Sequence, residues 1–141
     1  GFRTKHTGHT TMNHDNKAVF AQKARSILRQ MHADEEHIEA SAVVSRDGLI
    51  VASQLADTAD ADRFGAMCAS LLALASKAAQ EVERGQLRQV ILDGTKGPVL
   101  LTHAGLVAVL AVAARPKANL GRLIMETRNA ANRLGEIGSV L

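Results

Sequence analysis

The chain has 141 residues, 46% of them apolar and 22% charged, which suits one domain with one core and excludes a mainly disordered polymer. Twenty-four alanines against three phenylalanines and no Trp or Tyr predict a core of small side chains and few groups for stacking on bases. A single cysteine excludes an intramolecular disulfide framework and a cysteine-built zinc cage and fits a reducing cytosol.

The net charge of +3 is unevenly spread, with +5 on residues 1–33 and −2 on the remainder. So local an excess predicts no nucleic-acid partner. Residues 1–11 are polar and aperiodic, and Met12 has the look of a natural start. Residues 1–11 therefore read as a disordered tail or a cloning remnant, and residues 12–141 as a single domain. His6, His9 and His14 have no acidic or cysteine ligand beside them, so a solvated tail is expected rather than a metal site.

From Lys17 to His32, Phe20, Ala24, Ile27, Leu28 and Met31 recur at helical spacing, with Lys17, Lys23, Arg25 and Arg29 off the stripe. Asp15 or Asn16 is placed to cap that helix. Ile38–Ser45 alternates, setting Ile38, Ala40, Ala42 and Val44 on one face and Glu39, Ser41 and Ser45 on the other. Asp47-Gly48 then turns the chain into Leu49–Ser53, a strong hairpin signal. A long helix follows from about Ala61 to Arg84, capped by Thr58 or Asp60 and stopped by Gly85.

That helix carries Phe64, Met67, Cys68, Leu71, Leu74, Ala75, Ala78 and Val82 on one face. Another holds the smaller Gly65, Ala69, Leu72, Ala73, Ser76 and Ala79. A helix apolar or small nearly all round is covered on two sides, and so short a chain leaves one side for a partner subunit. Leu87–Asp93, Val99–His103 and Leu106–Ala113 read as three strands joined by hairpin-length turns, the last with no polar position, as befits a central strand. The longest apolar run, Leu106–Ala114, is too short to span a bilayer, and no signal sequence is evident, so a soluble cytoplasmic protein is expected. Lys117–Glu136 closes the chain as a helix with Leu120, Leu123, Ile124, Thr127, Ala131 and Leu134 inward. Helix, two strands, long helix, three strands and helix make an α+β layered domain with an antiparallel sheet.

No catalytic constellation emerges. Gly94-Thr-Lys-Gly97 lacks the spacing and following helix of a phosphate loop, and Pro98 and a strand come next, so it reads as a hairpin turn. His103 has no paired nucleophile or base nearby. Cys68 sits among Phe64, Met67, Leu71 and Leu72 and reads as a small core or interface residue. No serine stands in a nucleophile elbow. No catalytic residue, cofactor site or metal site is assigned.

Several stretches taken in order resemble the roadblock (dynein light-chain) family and its bacterial members: Val44–Ala52 at the first hairpin, the Ala/Leu-rich helix, Leu92–Leu101, Leu106–Ala111, and Ala118–Gly121 entering the last helix. The resemblance implies a five-stranded sheet in the order 2-1-5-4-3, with the long helix on one face and two helices on the other, a profilin-like arrangement. It also implies a non-catalytic homodimeric regulator or scaffold that binds a Ras-like small GTPase, some members stimulating GTP hydrolysis.

The dimer candidates are Gly65, Ala69, Leu72, Ala73, Ser76 and Ala79 on the helix, with Leu87, Val90 and Leu92 on an otherwise uncovered edge strand. Arg63, Lys77 and Arg84 are the partner-binding candidates, as the basic positions on a small or apolar helix. The alternative is a small-ligand sensor with Thr102 and His103 as its polar groups; an enzyme ranks third.

Overall fold

A computed structural model describes residues 14–57 and 59–140; the segment 1–11, with His6 and His9, and Thr58 lie outside the described residues. The elements run α1 (His14–Asp34), β1 (Ile38–Ser45), β2 (Ile50–Gln54), α2 (Ala61–Glu81), β3 (Gln89–Gly94), β4 (Gly97–Ala104), β5 (Ala108–Ala114) and α3 (Leu120–Val140). The strands form one antiparallel sheet in the order β2-β1-β5-β4-β3. α1 and α3 cover one face and α2 the other. The fold is the profilin-like α+β arrangement.

β5 takes the centre because it has nothing polar to expose. It sends Leu110 and Val112 into the core under α1 and α3, and Val109 and Ala111 into the core under α2. The first of these cores holds Phe20, Leu28, Leu100, Leu123 and Leu134, all but inaccessible to solvent. The second is smaller, built on Ala42, Val44, Cys68, Leu72 and Leu101.

β1 departs from the simple alternation. A bulge between Ile38 and Ala40 shifts its register, so Ile38 packs with α1 and α3 whereas Ala42 and Val44 pack with α2. The face expected to be polar is covered by α1, which buries Val43 and Ser41. Ser41 Oγ lies 2.8 Å from Nε2 of His32 on α1.

The ends of the elements differ from the sequence reading in physically intelligible ways. α1 starts early enough to hold Asp15 in its first turn, where the carboxylate meets the positive end of the helix dipole. Asp60 caps α2 as expected, accepting from Arg63 N at 3.0 Å. α2 stops before Gly85, because Glu83 takes the left-handed conformation (φ 57°) and lets Arg84 N reach back to Ala79 O at 2.8 Å. β3 begins at Gln89, leaving Leu87 in the preceding turn. Leu106 is also outside its expected strand, 82% exposed at the β4–β5 tip. Leu120 opens α3 at 43% exposure rather than facing inward.

α2 lies directly on the β1–β2 turn. Gly48 has φ +90° there, and a Cβ on Gly65 would stand 2.9 Å from Gly48 O. This contact sets the rotation of α2 about its own axis.

Candidate functional site

Because Gly65 must face the turn, the side of α2 that carries Gly65, Cys68 and Leu72 goes inward, and Ala69, Ala73 and Ser76 fall on its flank. Gly65, Cys68 and Leu72 are buried. Gly65 and Leu72, expected at a subunit interface, thus belong to the chain's own core, and Ala79 is half-buried. The apolar residues expected to meet the sheet divide in turn. Met67, Leu71, Leu74 and Val82 are exposed by 60, 36, 65 and 61%. Spaced i, i+4, i+7 and i+15, they form one stripe along an outer flank.

The opposite flank of α2 forms the wall of an open trough of about 580 Å³ between the helix and one end of the sheet. Ala69, Leu72, Ala73 and Ser76 line it from α2, Leu87 from the turn before β3, and Leu106 and Val109 from the β4–β5 region. Of the partner-binding candidates, only Lys77 lines this trough. Arg46 and His103, neither singled out as a partner-binding residue, join it there.

Arg46 Nη1 donates to Leu106 O at 3.3 Å, tying the β1–β2 and β4–β5 tips together. Burial, with a smaller contribution from the Arg46 charge, holds the His103 imidazole below its usual pKa. Thr102 faces elsewhere, donating from Oγ1 to Arg88 O at 3.0 Å.

Arg63 stands 3.8 Å from Asp60, both side chains exposed, a pair of small energetic consequence. Arg84 folds back, its Nε donating to Val82 O at 3.1 Å. β3 ends the sheet, and among the described residues no strand pairs with its outer edge. Val90 on it is half-buried, and Ile91 and Leu92 are 40 and 39% exposed.

Elsewhere the chemistry is structural. Burial pushes the Cys68 thiol up to about 11, so the sulfur remains protonated and unreactive. Glu35 is the buried charged residue among the described residues. One carboxylate oxygen accepts from His37 N at 3.2 Å and lies 3.1 Å from its Nδ1; the other forms an ion pair with Arg122, 2.9 Å from its Nε. The two His37 contacts, then the Arg122 charge, hold the carboxyl below its usual pKa against the effect of burial. This cluster ties the end of α1 to the start of α3. No described helix is long and apolar enough to cross a membrane.

The Roadblock/LC7 domain model matches residues 26–114. The uncharacterized protein MJ0310 of Methanocaldococcus jannaschii is 36% identical over 99 residues, covering 70% of this chain and 86% of that protein. Myxococcus xanthus MglB is similar in structure, with a TM-score of 0.78 at 18% identity over 84% of this chain and 97% of that one. Schizosaccharomyces pombe profilin shares the fold at a TM-score of 0.63 and 14% identity, over 81% of this chain and 98% of its own.

Proposed function

The chain belongs to the Roadblock/LC7 family, and from that premise we propose that it is a non-catalytic homodimeric regulator or scaffold binding a Ras-like small GTPase. Stimulation of the partner's GTP hydrolysis is the finer form of the same reading. The observation that carries it is the stripe Met67, Leu71, Leu74 and Val82 on the same layered domain as an unpaired β3 edge. Contiguous exposed apolar surface marks an interaction site, and an open sheet edge invites pairing. Two-fold pairing through α2 and β3 would relieve both.

Val90 and Leu92 remain dimer candidates on β3. On α2 the stripe is the stronger candidate flank, because Gly65 and Leu72 have almost no surface left to offer a second copy. Arg63, Lys77 and Arg84 stand as the cationic candidates for steering an acidic GTPase surface. The ligand-sensor alternative draws support from the trough, whose volume falls in the range of small-molecule sites. It is weakened by Thr102, which faces Arg88 O rather than the trough.

The test is a titration against a panel of small GTPases, each loaded with GDP or with a non-hydrolysable GTP analogue. Binding that distinguishes the two nucleotide states supports the reading. A dimeric, folded protein that binds none of the panel overturns it.

A further inference from the structure

We infer that the trough beside α2 is a docking groove for an acidic, amphipathic peptide segment of a partner protein. This surface is separate from the stripe assigned to the dimer and does not depend on the GTPase reading.

The accessible lining is apolar along Ala69 and Ala73 of α2 and Leu87, above Leu72 and Val109, which lie buried beneath it, and Leu106 forms a lip that is 82% exposed. Two permanent cations, Arg46 and Lys77, stand on the lining, and among the described residues no Asp or Glu does. A chain that presents large apolar side chains to the floor and carboxylates to the rim matches both properties. The bond from Arg46 to Leu106 O fixes the two hairpin tips relative to each other before anything binds. Little ordering is then required of the groove itself.

Charge also argues against a second copy as the occupant. In a two-fold contact the same patch meets itself. Trough against trough would set the Arg46 and Lys77 charges of one copy against the same positive charges of the other, an unfavourable like-charge juxtaposition. The stripe Met67, Leu71, Leu74 and Val82 contains no charge and pays no such penalty. A small metabolite is disfavoured by shape, since such sites enclose most of the ligand surface, whereas this trough is only partly enclosed.

The experiment selects short random peptides displayed on phage against the immobilised full chain. The enriched peptides are then measured by fluorescence anisotropy on the wild type, R46E, K77E and L106S. All three positions are exposed, and circular dichroism verifies that each variant is folded. Enriched sequences should combine Asp or Glu with large apolar residues, and each charge reversal should weaken them about tenfold or more. L106S should weaken them without changing their salt dependence.

Four results overturn the inference: no enrichment, enriched peptides that are neutral or basic, binding unaffected by R46E and K77E, or a changed oligomeric state in those variants. The last would identify a second copy as the occupant.

Discussion

Gly105 at the β4–β5 tip and Gly135 in α3 meet backbone to backbone. A Cβ on Gly105, which has φ +65°, would stand 2.8 Å from Gly135 Cα, and one on Gly135 would stand 2.9 Å from Gly105 N. Replacing a helical glycine by alanine ordinarily stabilises by about 1 kcal/mol. Here the sign should invert, because the added methyl meets main chain that has no side-chain torsion with which to yield. G135A should lose about 1–3 kcal/mol, seen as a lower urea midpoint at unchanged slope. G121A, in the same helix with its nearest neighbour a side-chain oxygen at 3.4 Å, should be neutral or stabilising.

The two flanks of α2 should respond differently to charge. L74E places a carboxylate in the stripe assigned to the dimer. Leu74 is 65% exposed in the isolated chain, so its folding stability should scarcely change. Losing the burial of one leucine is worth about 1.5–3 kcal/mol, so the dimer should weaken tenfold or more in light scattering across a dilution series. A73E, on the trough wall, should leave the dimer intact. The reverse pattern would move the interface to the small-residue flank.

Glu35 should govern acid stability. Its folded-state pKa lies below the ordinary 4.5, so its contribution is fully present above that value. It is lost as the pH falls through the folded-state pKa. E35Q leaves His37 N with a weaker acceptor and Arg122 without its ion pair, and should cost about 2 kcal/mol at pH 7. The difference between wild type and E35Q should shrink below pH 4.5, as thermal melts at a series of pH values would record.

His103 and His32 both titrate below the ordinary 6.5. The unfolded chain therefore binds protons at these sites before the folded one does. Stability from them is present above pH 6.5 and declines as the pH drops toward the folded-state values. R46A should raise the His103 pKa and leave that of His32 in place, because Arg46 acts on His103 whereas burial accounts for His32. Proton NMR titration of the two imidazole signals separates them.

The order of elements was legible in the sequence because each signal was local: the Asp47-Gly48 turn, the uninterrupted apolar run of β5, and the helical spacing of α1. The rotation of α2 was not. An Ala/Leu helix offers apolar positions on every side, and ranking by size turns Leu71 and Leu74 inward. What decides the matter is the approach of Gly65 to Gly48 O, a contact between segments that no single-helix pattern contains. The same reason hid the trough. Arg46 and His103 are brought beside Lys77 by two hairpin tips and a helix flank, and each looks ordinary in its own stretch. The bulge that moves Ile38 to the other face likewise arises from pairing with β5, while the local alternation gives no sign of it.

The inequality of the two cores has a dynamic consequence. α1 and α3 are held by many fully buried large side chains such as Phe20, Leu28, Leu123 and Leu134, whereas α2 contributes only Cys68 and Leu72 as fully buried side chains to the smaller core, with Phe64 partly buried beside them. Opening free energies vary across a fold with the apolar contacts each layer makes. Amide protons of α2 should therefore exchange through a sub-global event that leaves the sheet, α1 and α3 closed. The layer bearing both candidate surfaces is the one least firmly anchored to its own chain. Occupancy of either surface would then register as slowed deuterium uptake along α2, well before any change in the global melting temperature.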